Sequence, residues 1–208
     1  MDIPDYSFEA AARSRGLIRV AGIDEVGRGP LAGPVTACAV ILDFNCIPDG
    51  LRDSKQLTAA RRETLAAQIM LCAEVSVAHA SVDEIDHLNI LQASLLAMER
   101  AAAGLAAHHH LIDGTKIPTG LKGRAECIVK GDARCLSIAA ASIVAKVTRD
   151  RLMVDLAQHH PGYGWERNAG YPAPAHLKAL LILGATPLHR RSFRPVHNIL
   201  YQDKSLSA

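Results

Sequence analysis

The chain has 208 residues, 49% of them hydrophobic, and a formal net charge of +2. This length and composition predict one globular domain over residues 1–208 with a single sizeable core. No apolar run approaches the length that crosses a membrane, and the first residues are acidic where a signal peptide would be basic and then apolar. We therefore expect a cytoplasmic protein without a membrane partner.

Charge is unevenly distributed along the chain. Residues 1–114 contain 9 Lys/Arg and 15 Asp/Glu, whereas residues 115–208 contain 14 and 6. This asymmetry fits an acidic cation site beside a basic surface for a polyanion, and it fits a chance distribution about equally well. Charge alone therefore permits nucleic-acid binding without demonstrating it.

The five cysteines show neither a CxxC pair nor a Cys/His spacing typical of zinc sites. They are expected to be reduced thiols, so that neither disulfides nor structural zinc are predicted. Their positions are Cys38, Cys46, Cys72, Cys127 and Cys135.

Five short apolar runs predict strands. Arg19–Asp24 and Val35–Leu42 are separated by a Gly/Pro-rich segment and are expected to form a hairpin. Glu74–Ala80 alternates between apolar and polar residues, which is typical of a third strand. Two shorter runs, His109–Asp113 and Cys127–Lys130, complete the count.

Helical patterns fill the intervals between these strands. Residues 58–72 are Ala-rich with an apolar face, and Ser81–Glu84 has the Ser-x-x-Glu spacing of a capping box. Apolar residues recur at helical spacing over 88–105 and 136–147. Both of these longer segments are expected to pack on the sheet.

The last quarter of the chain has the pattern of a helical extension. Pro174 is placed to start a helix that Gly184 ends, and Thr186-Pro187 resembles the cap and first residue of one more helical turn. No linker or repeat separates this part from the rest. We expect a core over about 17–158 and a C-terminal helical extension over about 159–208.

The strongest chemical signal is the sequence DEVGRGP at 24–30. Two adjacent carboxylates at the exit of a buried strand are costly unless they are solvated, paired or bound to a hard cation such as Mg²⁺. Neighbouring strand side chains point to opposite faces, so Asp24 and Glu25 share one site only if the strand is distorted or Glu25 uses its carbonyl. For an isolated Asp-Glu pair, a polar strand end leading into a loop is the simpler interpretation.

The glycines after this pair do not fit a dinucleotide site. A pyrophosphate beside Gly27 and Gly29 would meet the two carboxylates, and Pro30 and Pro34 lack backbone donors. A Walker loop is also absent, because no Gly-Lys-Ser/Thr follows at the required spacing. Small residues beside Arg28 can instead bring backbone amides and a guanidinium against sugar and phosphate.

Two later carboxylates occupy similar positions. Asp113 and Asp132 each follow a short apolar run and stand beside a glycine. Either one alone is ordinary turn chemistry. If their strands lie beside the first strand, however, both side chains converge on Asp24 and form a cluster of four carboxylates with Glu25.

Eight segments spanning nearly the whole chain resemble bacterial ribonuclease HII, in that family's order. The resemblance implies an α/β ribonuclease-H-like fold with a mixed five-stranded sheet flanked by helices and a C-terminal helical extension. The segments are GIDEVGRGPLAGPV (22–35), DSKQL (53–57), LNILQASLLAM (88–98), LIDG (111–114), VKGDARCLSIAAASIVAKVTRDRLM (129–153), GYGW (162–165), GYPAPAH (170–176) and HRRSF (189–193).

The resemblance also implies an activity. Enzymes of this family hydrolyse the RNA strand of RNA/DNA hybrids and incise 5′ of single ribonucleotides in duplex DNA, leaving 3′-hydroxyl and 5′-phosphate ends. The acidic quartet that binds Mg²⁺ or Mn²⁺ matches Asp24, Glu25, Asp113 and Asp132. Two ions held about 3.5–4 Å apart are expected to activate water and stabilise the leaving oxygen. The chain is expected to act as a monomer.

Substrate-binding residues are implied in the same way. The loop Gly27, Arg28 and Gly29 matches the element that contacts the ribose 2′-hydroxyl at an RNA/DNA junction. Tyr163 matches the tyrosine that stacks on the sugar of the next deoxynucleotide, and Lys55 matches a lysine near the substrate backbone. Gln56 and Ala169 stand where relatives often have lysine, which puts two phosphate contacts in doubt.

Other interpretations remain open at this stage. A histidine pair would assist attack by the 2′-hydroxyl and give cyclic phosphates, but His108–His110 are expected to be solvated. Arg149 could line a duplex, although a solvated helix face is the default for such a residue, and Trp165 is expected in the core. The alternatives to a nuclease are a non-catalytic hybrid-binding module and a dinucleotide-binding oxidoreductase.

Overall fold

The computed structural model describes residues 3–201, and the last residues of the predicted extension, 202–208, lie outside the described residues. The chain forms two compact units. The first contains residues 3–26, 36–79 and 94–147, and the second contains 27–35, 80–93 and 148–201. The single domain with a boundary near residue 158 stays a prediction.

A mixed five-stranded sheet confirms the predicted fold class. The order is β3-β2-β1-β4-β5. The first pair, β1 and β2, is antiparallel as the predicted hairpin requires, whereas β4 is parallel to both β1 and β5. The strands are β1 (Val20–Val26), β2 (Val35–Leu42), β3 (Ala73–Ala80), β4 (His109–Asp113) and β5 (Ala125–Ile128).

Helices of the first unit cover the sheet. They include α1 (Ser7–Ser14), α2 (Ala59–Cys72) and the first half of α5 (Leu136–His159). Leu65 and Ile69 of α2 share a buried apolar cluster with Ile143 of α5 and Val40 of β2. Close approach of α5 to β1 requires Gly22, because a β-carbon there would overlap the backbone at Ser137.

The helix predicted over 88–105 is observed over residues 90–103, and a break at Asn89 separates it from a shorter helix before it. Ser81 caps α3 (Val82–Leu88) and forms the full capping box with Glu84, as the spacing predicted. Asn89 then adopts a φ of 68°, which interrupts the helix before α4 (Ile90–Ala103).

The second unit is largely helical. Its later helices are α6 (Trp165–Asn168), α7 (Pro174–Leu183) and α8 (Arg194–Tyr201). Pro174 and Gly184 bound α7 as predicted, and Trp165 is buried with Leu180 and Val196 in an apolar cluster. Thr186-Pro187 forms a turn and does not start a helix. The hydroxyl oxygen of Thr186 accepts a bond from the backbone N–H of Leu188.

Two sequence-based expectations were wrong: that the cysteines form no disulfide, and that His109 and His110 are exposed to solvent. Cys46 and Cys72 form a disulfide, with their Cα atoms 5.5 Å apart, because the loop after β2 meets the end of α2 although 26 residues separate the two cysteines in the chain. His109 and His110 are buried, since the strand on which they lie is internal to the sheet; only His108 is exposed. In the described range, no helix combines the length and apolar character that spanning a membrane requires.

Candidate active site

Parallel strand pairing brings Asp24 and Asp113 together. The register between β1 and β4 places Ile23 opposite Ile112, so the next residue on each strand is a carboxylate. Regular pairing continues along β1 as far as Val26. The strand is therefore not distorted at the Asp24-Glu25 pair. Asp24 is 6% exposed, and Glu25 is partly exposed.

Asp132 joins this group through a tight turn after β5. Strand β5 ends two residues earlier than predicted because Lys130 adopts a left-handed conformation, with a φ of 56°. A 3₁₀ turn, Gly131–Ala133, follows. The backbone N–H of Gly131 donates to Asp113 Oδ1 at 2.7 Å, and this bond links the turn to the end of β4.

The carboxylates act on one another electrostatically. Burial and then the charges of Glu25 and Asp113 raise the pKa of Asp24 well above its usual value. Burial also raises the pKa of Asp132, with further contributions from Asp53 and Asp113. Such mutual repulsion is typical of sites that hold a cation, although structural clusters also show it.

Lys55 places a positive charge beside these acids. Asp53 accepts from the backbone N–H of Lys55 at 2.9 Å and so caps the 3₁₀ turn Ser54–Gln56. Lys55 Nζ lies 3.4 Å from Asp132 Oδ2 and 3.8 Å from Asp53 Oδ1. The Lys55 side chain is 80% exposed, so its ion pairs contribute little to stability and the ammonium is accessible to a ligand.

The donor set fits a hard cation. The predicted ligands are all carboxylates, which is the oxygen chemistry that Mg²⁺ and Mn²⁺ prefer. Within residues 3–201, however, no three His, Cys, Asp or Glu side chains are close enough to hold a metal ion in their present positions.

The Gly-rich loop, residues 27–34, belongs to the second unit. Two buried arginines donate hydrogen bonds to its backbone carbonyls. Arg190 Nη2 donates to the carbonyl of Gly27 at 2.6 Å, and its Nη1 and Nε donate to the carbonyls of Arg28 and Gly33, each at 3.0 Å. Arg149 donates to the carbonyls of Ala32 and Pro34 at 3.1 and 2.9 Å. Hydrogen bonds from two buried guanidinium groups thus fix the backbone of this loop.

The burial of Arg149 contradicts one expectation, and Arg190 is a residue that the sequence pattern did not single out. Arg149 is fully buried, so its prediction as a solvated residue was wrong. Burial lowers the pKa of Arg149 to about 10, and burial together with Arg149 lowers that of Arg190 to about 9. Both side chains therefore keep their charge at neutral pH. The sequence offers no signal for either position, because arginine is usually exposed.

Arg28 and Gly29 are exposed, whereas Gly27 is buried. The ring of Tyr171 lies against Gly29, since a β-carbon at this glycine would be 3.4 Å from Tyr171 Cε1. Tyr171 is 41% exposed. An accessible aromatic ring therefore stands beside the exposed part of the loop, in the segment GYPAPAH, although the sequence interpretation did not select it.

Tyr163 has different surroundings. It is 5% exposed, its hydroxyl donates to the carbonyl of Gly184 at 2.8 Å, and its ring stacks on Trp165 with centroids 5.2 Å apart. The structure thus places Tyr163 in the apolar core of the second unit. Its stacking on a substrate sugar stays a prediction, which this burial does not support.

Comparisons with known proteins identify the family. A family model described as ribonuclease HII matches residues 21–196. The chain belongs to the ribonuclease HII family. Ribonuclease HII of Cereibacter sphaeroides (strain ATCC 17025) is 68% identical, over 98% of this chain and 97% of its own. That of Paracoccus denitrificans is 64% identical, over 99% of both chains.

A solved structure supports the same assignment. Ribonuclease H2 from Pyrococcus horikoshii superposes with a TM-score of 0.73 at 28% identity, covering 90% of this chain and 100% of that one. Together with the relatives, this likeness makes the chain a ribonuclease H, an endonuclease of a family that acts on RNA/DNA hybrids.

Proposed function

We propose that this ribonuclease HII incises duplex DNA on the 5′ side of single embedded ribonucleotides and hydrolyses the RNA strand of RNA/DNA hybrids. It would leave 3′-hydroxyl and 5′-phosphate ends. The observation that supports the proposal is the position of Asp24 and Asp113 at the adjacent ends of two parallel strands. There the charges of Glu25 and Asp113 act on Asp24, and Asp113 also acts on Asp132.

Asp24, Glu25, Asp113 and Asp132 are the proposed ligands of Mg²⁺ or Mn²⁺. Because the strand is regular at the Asp24-Glu25 pair, Glu25 would contribute its backbone carbonyl. The chemistry supplied at such a site is activation of a water molecule and stabilisation of the leaving 3′-oxygen. The protein contributes positioning and negative charge. Asp113 is oriented by the N–H of Gly131, and Lys55 lies beside Asp132, where its ammonium can also meet a substrate phosphate.

Recognition of a ribonucleotide is assigned to Gly27, Arg28 and Gly29. Arg190 occupies the carbonyl oxygens of Gly27 and Arg28, so the exposed Arg28 guanidinium and the Gly29 backbone are the parts that remain accessible to a sugar-phosphate chain. We assign the adjoining aromatic contact to Tyr171, because its ring is accessible and lies against Gly29. Tyr163 is the alternative that the sequence predicted.

The test is a DNA duplex with one ribonucleotide, incubated with and without Mg²⁺, in which the ribonucleotide strand is labelled at its 5′ end in one reaction and at its 3′ end in a parallel one. We expect a metal-dependent nick whose downstream fragment begins with the 5′-phosphorylated ribonucleotide. Asp24→Asn is the matched inactive control. Cyclic 2′,3′-phosphate ends, or no cutting in Mg²⁺ or Mn²⁺, would overturn the proposal.

The same assay separates the second candidate function. Tight binding of an RNA/DNA hybrid without scission in either metal would indicate a non-catalytic binding module. We further propose that the enzyme works as a monomer in the cytoplasm. Light scattering of the purified protein with and without duplex measures its mass, and a dimer mass would contradict the monomer.

A further inference from the structure

A buried glutamate of α1 is hydrogen-bonded to the start of the long helix α5. Glu9 is 1% exposed, and its Oε1 accepts from the backbone N–H of Ser137 at 2.7 Å and from the thiol of Cys135 at 3.2 Å. Its other oxygen, Oε2, is buried and has no hydrogen-bond partner among residues 3–201. Burial of a carboxylate is costly, and hydrogen bonds compensate here at one oxygen alone. Glu9 thus joins α1 to α5 through a charged group in the interior.

The N-terminal segment satisfies the first N–H groups of α5. Such groups have no acceptor within their own helix, and Ser, Thr, Asp or Asn is the preferred capping residue before a helix. Cys135 stands at that position. The carbonyl of Asp5 accepts from the N–H of Leu136 at 3.1 Å, beside the bond from Ser137 to Glu9. The carboxylate of Glu9 also lies at the end of α5 where the helix dipole favours negative charge.

The residues bound by Glu9 directly follow the turn that carries Asp132. The backbone N–H of Cys135 donates to the carbonyl of Gly131 at 2.8 Å, which closes the 3₁₀ turn onto the start of α5. On its other side, the N–H of Gly131 donates to Asp113 at the end of β4. Asp132 therefore lies between one anchor on β4 and another on α1.

Other residues of the N-terminal segment add to this docking. The N–H of Asp5 donates to the carbonyl of Arg134 at 3.2 Å. The guanidinium of Arg134 lies over the ring of Phe8, 5.2 Å from its centroid, and Phe8 also packs against the apolar cluster that contains Ile138. Together with the bond from Glu9, these contacts hold residues 134–137 against α1.

We infer that Glu9 is a positioning residue for the proposed metal site: through the start of α5 it fixes the turn on which Asp132 lies. This inference rests on the proposed metal-dependent function. It adds a residue of α1, which precedes every segment that carries the family resemblance. Glu9 acts through Ser137 and Cys135 and not by contact with the metal. Its removal should therefore alter the order of the turn and the affinity for metal, and not the binding of duplex.

The experiment compares wild type with Glu9→Met, which removes the acceptor and keeps a side chain of similar length. Amide hydrogen exchange of the metal-free protein, followed by NMR, should become faster at Ser137 and also at Gly131, whose bond to Asp113 depends on the turn. Mn²⁺ binding, measured by calorimetry and by the electron paramagnetic resonance of free Mn²⁺, should weaken about 10-fold, the lower end of the range for hydrogen-bonding partners of metal ligands. In cleavage assays the variant should need more metal for half-maximal rate, whereas its KM for duplex at saturating metal should equal that of wild type.

Three further variants separate positioning from stability. Glu9→Gln keeps a carbonyl that can accept from Ser137, so it should bind Mn²⁺ nearly as well as wild type. Glu9→Asp withdraws the carboxylate by one methylene group and should repeat both changes if Glu9→Met does not fold. Leu17→Ala is the matched control, because Leu17 packs on the same apolar cluster as Phe8 but its side chain cannot form a hydrogen bond. It should lower thermal stability and leave the exchange at Gly131 and the Mn²⁺ affinity unchanged.

The possible outcomes distinguish this inference from the proposed function. If wild type binds Mn²⁺ and folded Glu9→Met binds it with wild-type affinity, the positioning role is wrong and the metal site stands. An equal loss of affinity in Leu17→Ala would also overturn it, because the effect would then be one of general docking of α1. If wild type binds neither Mn²⁺ nor Mg²⁺, with or without duplex, the proposed function itself fails and the inference fails with it.

Discussion

The guanidinium of Arg190 donates to the backbone carbonyl of Arg28 at 3.0 Å, so a buried arginine fixes the main chain beneath an exposed one. Arg190 makes similar bonds to the carbonyls of Gly27 and Gly33. The fork geometry of a guanidinium suits it to several carbonyls at once, which a lysine ammonium cannot match. We therefore expect separable roles for the two arginines, with Arg190 stabilising the loop and Arg28 making the proposed substrate contact.

Arg190→Lys should destabilise the fold. The substitution leaves at least two buried carbonyls without a donor, and each unsatisfied group costs about 1–3 kcal/mol, so we expect a loss of about 2–4 kcal/mol in the free energy of unfolding. Urea denaturation followed by circular dichroism measures this quantity. A loss below about 0.5 kcal/mol would mean that the loop does not depend on Arg190.

Arg28→Lys is the matched variant. Its side chain is exposed, so the free energy of unfolding should stay within about 0.5 kcal/mol of the wild-type value. Incision at a single ribonucleotide should fall, since a lysine lacks the planar fork that contacts sugar and phosphate. Wild-type incision by this variant would remove Arg28 from the proposed substrate contact.

Asp24→Asn should abolish cleavage and preserve duplex binding. The change removes one negative charge from the acidic cluster and leaves the basic residues of the chain unaltered. Ca²⁺ should likewise support binding without efficient cleavage, because its coordination is looser and more variable than that of Mg²⁺. Asp155→Asn, at an exposed position of α5, serves as the control for charge alone. Near-normal turnover by Asp24→Asn in Mg²⁺ would contradict the assignment.

Much of the sheet and of the acidic cluster could be predicted because both depend on local pattern. The short runs at 35–42 and 109–113 predict the bounds of β2 and β4 to the residue, and the carboxylate that ends β4 follows two apolar residues. These carboxylates lie towards one edge of the sheet because β1, β4 and β5 are parallel, and the strand patterns alone do not specify that pairing.

The parts that could not be predicted depend on tertiary contacts. Arg149 has the sequence pattern of a solvated helix residue, yet the loop carbonyls satisfy its guanidinium in the interior. Tyr163 and Tyr171 both follow a glycine, and only packing distinguishes the buried ring from the accessible one. The helix break at Asn89 likewise cannot be predicted from hydrophobic periodicity, because apolar residues continue at helical spacing on both sides of it.

A pair of buried histidines should make stability depend on pH. Thr186 N–H donates to His189 Nδ1 at 2.9 Å, so His189 is neutral and its Nε2–H donates to His176 Nε2 at 3.1 Å. His176 Nδ1 in turn donates to the carbonyl of Tyr171 at 2.9 Å. Burial and the neighbouring His176 lower the pKa of His189 to about 4, and burial lowers that of His176.

Because both folded-state pKa values lie below the ordinary value of 6.5, the unfolded chain takes up protons first as the pH falls. Their contribution to stability is present above about pH 6.5 and is lost as the pH falls towards 4. His189→Asn should be less stable than wild type at pH 7.5 and should lose less on acidification. Urea midpoints at several pH values test this, with the exposed His87→Asn as control. Parallel curves for wild type and His189→Asn would show that His189 titrates normally.

The two tyrosines allow the sequence-based and structure-based assignments of the aromatic contact to be compared directly. If the accessible ring of Tyr171 stacks on the substrate, Tyr171→Ala should lose about 1–3 kcal/mol, or about 5- to 150-fold in cleavage efficiency on a single-ribonucleotide duplex. Tyr171→Phe should lose much less, and neither variant should lose more than about 0.5 kcal/mol in unfolding free energy.

Tyr163 should show the opposite pattern. Removing its buried ring in Tyr163→Ala should cost about 3–5 kcal/mol of stability, and Tyr163→Phe about 1 kcal/mol through the lost bond to Gly184. Cleavage is measured at a temperature where circular dichroism shows every variant folded. The substrate must contain one ribonucleotide. A long RNA strand has no RNA/DNA junction at most positions and would mask a loss of junction recognition. If folded Tyr163→Ala loses incision and Tyr171→Ala does not, then Tyr163 is not buried when the substrate is bound. The sequence-based assignment of the aromatic contact to Tyr163 would then be correct.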